Sequence, residues 1–208
     1  MSRFIAVIMS IALMPAFFVV ALLIKLESNG PIIFKQKRVG QFGALFTIYK
    51  FRTMQVGMPD LPSDQVSEGD SRFTTTGKIL RRFSIDEFPQ LLNIIKGEMA
   101  FIGPRPALYN QYELNAMRRE RAIDSLKPGI TGWAQVNGRD SISTETKVTL
   151  DQYYLTHRSI GLDMKILWLT FFKSTSGEGL YAEPSSTIDS DSSAIKSCTN
   201  RSTMPKSR

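Results

Sequence analysis

Phe4 to Ile24 is almost wholly apolar, interrupted only by Ser10 and Pro15. Its length, about 20 residues, matches a bilayer core, so residues 1–25 are expected to anchor the chain in a membrane. Pro15 removes a helix hydrogen bond in mid-run and is expected to bend or break the helix. Composition favours a span, and a re-entrant turn is the other geometry open to a sharply broken helix. The pattern then changes. Ile32-Ile33-Phe34 and Leu45 to Tyr49 are short β-prone runs with Gly40 and Gly43 between them, which predicts a hairpin with a long loop. From about 55 to 76 the chain is polar and rich in Gly, Pro, Ser and Asp, the signature of a loop.

Helical periodicity follows. Gly77 to Phe83 predicts a short basic helix. Phe88, Leu91, Leu92 and Ile95 recur at i, i+3, i+4 and i+7 and predict a helix closed by Lys96-Gly97. Ser84 to Glu87 reads as a capping box, with Asp86 as the cap and Pro89 in the first turn. Ala107 to Ser125 predicts a polar surface helix, and Thr144 to Leu155 another. Ile160 to Lys173 predicts a short apolar helix, either buried or lying flat at a membrane surface. Beyond Ser174 the Ser/Thr-rich composition predicts a disordered tail, 174–208. The expected fold is therefore α+β and mostly helical, with the body of the chain at 26–173.

Composition narrows the chemistry. Net charge is +7 over 208 residues, which points to nucleic acid, anionic lipid or phosphorylated substrates. One cysteine, Cys198, and one histidine, His157, exclude intrachain disulfides and cysteine- or histidine-rich metal sites. Metal chemistry would use carboxylates and phosphates, favouring Mg²⁺ over zinc. Lys25, Lys35, Lys37, Arg38, Lys50 and Arg52 all follow the apolar run and predict a cytoplasmic body.

Several stretches carry candidate chemistry. Asp86 and Glu87 are adjacent carboxylates at a helix start, suited to a nucleophile, a metal ligand or an ordinary cap. A carboxylate there, with Lys78, Arg81 and Arg82 just before it, is expected to stay ionised. Arg105 stands between prolines in Gly103-Pro104-Arg105-Pro106, a rigid presentation of a guanidinium for phosphate. Lys50 and Arg52 share a strand face and could steer phosphate or anionic headgroups. In Gly129 to Arg139, the glycines let backbone approach a ligand. Trp133, Gln135, Asn137 and Arg139 could contact it, while Asn137-Gly138 alone reads as a hairpin turn.

Taken in order, these segments stop being independent. The proline-broken anchor, Tyr49 to Met54, Ser84 to Glu87, Gly103 to Pro106 and Pro128 to Arg139 closely resemble the bacterial sugar transferases, the small monotopic phosphoglycosyl transferases that start lipid-linked glycan assembly. The resemblance covers residues 4 to 173. It implies transfer of a sugar-1-phosphate from a UDP-sugar to polyprenyl (undecaprenyl) phosphate with release of UMP and Mg²⁺ as cofactor. It assigns Asp86 as the nucleophile of a covalent phosphosugar intermediate, Glu87 as metal ligand and Arg105 as phosphate holder. It also implies a re-entrant anchor broken at Pro15, interfacial helices, and a body on the cytoplasmic face of the bacterial inner membrane. Family members often carry serine before that proline, where Met14 stands here. Lys50, Arg52, Arg81, Gln135, Asn137 and Arg139 join Arg105 as expected substrate contacts. No nucleic-acid partner is expected, and homo-oligomerisation is left open. The competing reading is a membrane-anchored basic binding or scaffold protein without catalysis.

Overall fold

The computed structural model describes residues 2–57, 72–138 and 141–176. The apolar run forms two helices, α1 (Ser2–Ala12) and α2 (Met14–Glu27), bent by 61° at Leu13. Pro15 lies in the first turn of α2, where its missing N–H is harmless. The bend therefore falls just before the proline. At 11 and 14 residues, the legs measure roughly 16 and 21 Å, each shorter than a bilayer core of about 30 Å. Among the described residues no single helix is long and apolar enough to cross a membrane, whereas the bent pair together passes on length and composition.

Both legs pack on the body of the protein. Ala6 of α1 is buried with Phe46, Ile48, Leu91, Ile94 and Met99. Val20 and Ile24 of α2 are buried with Phe51 and Leu80. Their outer faces are bare: Phe4, Ile11, Met14, Phe18 and Leu26 are each about two-thirds or more exposed.

The hairpin forms, but without the expected long loop, because its first strand continues to Val39, which pairs with Leu45. Strand β1 (Ile33–Val39) pairs antiparallel with β2 (Leu45–Phe51), Lys37 facing Thr47. The tight link passes through Phe42, at φ 53°, and Gly43, at φ 76°. The base of the following polar loop is pinned by Gln55 N–H donating to the Arg72 carbonyl at 2.9 Å; residues 58–71 lie outside the described ones.

Helix α3 (Thr75–Arg82) is capped by Thr74, whose hydroxyl accepts from Gly77 N–H at 3.0 Å. Glu27, at the end of α2, accepts from Thr76 N–H at 2.9 Å and ties the anchor to this helix. A 3-10 turn at Ile85–Gln90 then leads into α4 (Leu91–Lys96), closed by Gly97 at φ 86°. The capping box does not form. Ser84 sits in the left-handed region, φ 55°, and its side chain caps nothing. Pro89 lies inside the 3-10 turn, and Leu92, expected on the buried stripe, is half exposed while Ile94 is buried.

Beyond α4, β3 (Ala100–Ile102) pairs in parallel with β4 (Gly129–Thr131). The polar stretch between them is only partly helical, as α5 (Tyr112–Glu120) and a 3-10 turn at Ile123–Ser125. The glycines near β4 serve this crossing. A Cβ on Gly132 would lie 2.1 Å from the Gly103 carbonyl oxygen, and one on Gly129 2.2 Å from Gly103 nitrogen. They admit backbone to backbone, not backbone to ligand. Asn137-Gly138 closes the short α6 (Trp133–Val136) and makes no hairpin.

Helices α7 (Thr144–His157) and α8 (Ile160–Ser176) complete the fold, with Val136, Tyr154 and Ile166 at their core. Helix α8 runs three residues past its expected end, into the stretch read as tail; residues 177–208 lie outside the described ones. It is not a buried helix. Ile160, Met164, Leu167, Trp168, Phe171 and Phe172 form one exposed apolar face, with Trp168 66% exposed. His157 is a surface residue stacked on Tyr153 at 4.2 Å.

Candidate active site

The carboxylate pair sits where the 3-10 turn meets β2. Asn93 makes this junction rigid. Fully buried, it donates to the Thr47 carbonyl and to Glu98 at 2.7 Å each, and accepts from Tyr49 N–H at 3.3 Å. This fastens α4 to β2 and brings Asp86 and Glu87 against Lys50. Both carboxylates are buried, at 8% and 7% exposure.

Their surroundings differ. Glu87 Oε1 accepts from Lys50 Nζ at 2.7 Å and from Arg105 Nη1 at 3.2 Å. The Asp86 carboxylate takes no hydrogen bond or ion pair from any described residue; the charges of Lys50, Arg81 and Arg105 reach it through space. Burial pushes its carboxyl from an ordinary 3.8 up to about 6; Lys50, Arg81 and Arg105 oppose the rise and Glu87 adds to it. Desolvation thus outweighs the neighbouring cations, contrary to the expectation of an Asp86 held firmly ionised. Burial likewise pulls the Lys50 ammonium down, with Glu87 opposing.

Arg105 is held from behind. Arg118 Nη1, on α5, donates to the Arg105 carbonyl at 2.8 Å. Arg118 is itself clamped by Asp151 of α7, which accepts from Nη2 at 2.6 Å and Nε at 3.0 Å. From the other side Arg38 Nη1 donates to the Pro106 carbonyl at 3.0 Å, and Val39 N–H to Ala107 at 2.9 Å. The Pro-Arg-Pro turn is therefore held between β1 and α5, with α7 clamping α5 from behind.

Lys50, Arg81 and Arg105 are thus the expected cations that gather around the dyad. Arg52 goes elsewhere: it is buried and donates to the Ser28 and Asn29 carbonyls at 2.8 and 2.9 Å, closing the end of α2. Gln135 donates to the Ile130 carbonyl and Asn137 to the Trp133 carbonyl, both at 2.8 Å, so these contacts stay within their own segment. Arg139 lies outside the described residues. Asn93, Arg38, Arg118 and Asp151 are the positioning residues that local reading passes over. Their only sequence signal is a polar residue inside an apolar or amphipathic run, which does not name its partner.

Among the described residues no cluster of three or more metal-ligating side chains forms. Mg²⁺ needs no such cluster, since one or two carboxylates plus substrate phosphates satisfy it. Two adjacent buried carboxylates, one of them without a partner among the described residues, fit that donor set.

The bacterial sugar transferase family matches residues 1–177. A protein named uncharacterized sugar transferase EpsL from Bacillus subtilis is 45% identical over 160 residues, 76% of each chain. The undecaprenyl-phosphate glucose phosphotransferase of Komagataeibacter xylinus is 43% identical over 176 residues, 79% of this chain but 33% of that protein. The UDP-glucose:undecaprenyl-phosphate glucose-1-phosphate transferase of Escherichia coli is 37% identical over 85% of this chain and 39% of that protein. The chain thus spans little more than a third of the length of these two longer relatives. It belongs to the bacterial sugar transferases, the phosphoglycosyl transferase family that its ordered motifs resemble.

Proposed function

We propose that this enzyme transfers a sugar-1-phosphate from a UDP-sugar to polyprenyl phosphate, such as undecaprenyl phosphate, through a covalent intermediate on Asp86. The observation that carries this reading is the asymmetry of the dyad: Glu87 is tied to Lys50 and Arg105, while the Asp86 carboxylate has no partner among the described residues. A buried carboxylate that need break no hydrogen bond is poised to attack. In the first step an Asp86 oxygen bonds to the phosphorus that carries the sugar. The bond from that phosphorus to the bridging oxygen breaks, and its electron pair leaves with UMP. In the second step an oxygen of the lipid phosphate attacks the same phosphorus and frees the Asp86 carboxylate.

Lys50, Arg81 and Arg105 offset the repulsion between carboxylate and phosphate. Glu87 would hold Mg²⁺ together with the donor diphosphate, and the ion would supply further charge neutralisation there. Relatives whose names specify undecaprenyl-phosphate transfer support the acceptor class.

The membrane geometry follows the same logic. Ala6 and Ile24, near opposite ends of the apolar run, both pack on one body. A crossing helix would carry one of them to the far side, so we read the pair as re-entrant. The bare faces of α1, α2 and α8 would then sit in one leaflet, the cytoplasmic leaflet of the inner membrane, at the first membrane step of glycan assembly. Assay of UMP release from a panel of UDP-sugars with Mg²⁺ and polyprenyl phosphate tests the reading. Release with at least one donor, dependent on the lipid for multiple turnover, is expected; release from none would contradict it.

The raised Asp86 carboxyl predicts a pH dependence. The carboxylate is the reactive form, so the first-turnover rate of the enzyme should climb about tenfold per pH unit below 6 and level off above about 7. Stability runs oppositely. The fold favours protonated Asp86, so this contribution is fully present below about pH 4 and is lost as pH rises to about 6. Rapid-quench UMP release and thermal melts across about pH 4–8, roughly two units to either side of the titration, check both signs.

A further inference from the structure

At the far end of α4 from the dyad lies a cavity of about 460 Å³. Arg3, Lys127 and Arg158 line it, and no Asp or Glu is among its lining residues. Ile94, Met99 and Tyr154, each at most 2% exposed, back it from the core. The cations are on its outer side; Arg3, Lys127 and Arg158 are all exposed residues. Arg3 is not loosely placed. Its guanidinium lies against Gly97, where an added Cβ would come within 2.8 Å of Cζ. Arg158 interacts with the Tyr154 hydroxyl, which donates to Asp163 at 2.7 Å. In sequence, the lining residue Arg3 stands next to Phe4 of α1 and Arg158 two residues before Ile160 of α8, both bare apolar residues, the second 84% exposed.

We propose that this cavity binds a phosphate-bearing anion, specifically the phosphodiester headgroup of an anionic membrane phospholipid. The inference rests on the membrane reading given above. Three cations around a cavity lined by no acid match a phosphate, and the bare apolar faces of α1 and α8 match the acyl chains that such a headgroup carries. The cavity's position between two exposed apolar helices puts the mouth at the depth where headgroups lie. The acceptor lipid is a poor occupant, because its phosphate must reach Asp86 and this cavity lies beyond the opposite end of α4. The site would hold a resident lipid and set the height and tilt of the enzyme on the leaflet.

The test compares binding of the full chain to phosphatidylcholine vesicles with and without phosphatidylglycerol. The Arg3→Gln/Lys127→Gln/Arg158→Gln variant should lose about fivefold of its phosphatidylglycerol preference per cation removed. A control of equal charge change, Lys35→Gln/Lys37→Gln/Lys78→Gln, should lose much less. Because Arg3 packs on Gly97, the double variant Lys127→Gln/Arg158→Gln serves if the triple one fails to fold. Both should keep UMP release in detergent, which confirms an intact fold. Equal losses in the cavity and control variants would overturn the site. Displacement of the vesicles by soluble glycerol phosphate at matching phosphate concentration would make it a soluble-phosphoester site and overturn the lipid assignment. Binding by the wild type to both vesicles without preference would overturn this inference alone, and binding to neither would overturn the membrane reading as well.

Discussion

Asp86→Asn is expected to abolish UMP release, by on the order of 10³-fold or more, while the protein keeps its fold. The amide is the same size as the carboxylate and cannot act as a nucleophile. Since the Asp86 side chain accepts no hydrogen bond from a described residue, the exchange breaks none. It also removes a buried charge beside Glu87, so the melting temperature should hold or rise. Glu87→Ala makes the contrast. It too should inactivate, but it strips Lys50 and Arg105 of the acceptor they share at 2.7 and 3.2 Å. Taking a shared carboxylate away from two partly buried cations is destabilising. Thermal melts of the two variants therefore separate chemistry from architecture. Equal destabilisation by both would contradict the asymmetry on which the mechanism stands.

Asp151→Ala should produce the largest loss of stability. Its side chain is 2% exposed, and that of its partner Arg118 11%. Burial raises the Asp151 carboxyl and Arg118 opposes the rise. Removing one member of a buried pair costs about 3–5 kcal/mol, because the other charge is left in low dielectric. For a chain of this size that lowers Tm by about 10 °C. Activity should fall too, by about 10–100-fold, even at a temperature where the variant is folded. The reason is that Arg118 also holds the Arg105 carbonyl, and through it the guanidinium facing Glu87. Scanning calorimetry with low-temperature UMP release measures both effects. A variant that melts and turns over like the wild type would remove Asp151 from the account.

These two residues mark the boundary of what sequence could reveal. That Asp86, Glu87 and Arg105 belong together was legible only from the ordered set of motifs, since each motif alone left an ordinary cap or turn open; the fold brings the three within one cluster. The hairpin was legible locally, through β-prone runs around glycines. Arg118 and Asp151 were not. They are 33 positions apart, on helices whose surface polarity looks ordinary until tertiary packing buries it. Arg38 was one basic residue among many, and only the fold takes it to the Pro106 carbonyl.

Local rules also misled where tertiary contacts overrode them. Ser84 to Glu87 has the letters of a capping box, yet Ser84 is left-handed and burial of the dyad decides the conformation. Gly129 and Gly132 suggested room for a ligand, and the room is taken by the strand crossing at Gly103. Arg52 was placed with the phosphate contacts on strand alternation and its place in the Tyr49–Met54 motif, yet its hydrogen bonds go to the end of α2. The apolar face of α8 could not be assigned from composition, because a buried helix and an interfacial one share it. Exposure of Trp168 and Phe171 shows only that this face is not buried within the chain.

The most direct test of the central claim is intact-protein mass spectrometry after incubation with UDP-sugars and Mg²⁺ in the absence of lipid acceptor. A covalent route through Asp86 predicts an adduct of one sugar-phosphate, lost on addition of polyprenyl phosphate and absent from Asp86→Asn; the mass names the donor. No adduct with any donor, from enzyme that still turns over when the lipid is added, would contradict it and require direct transfer between the two substrates.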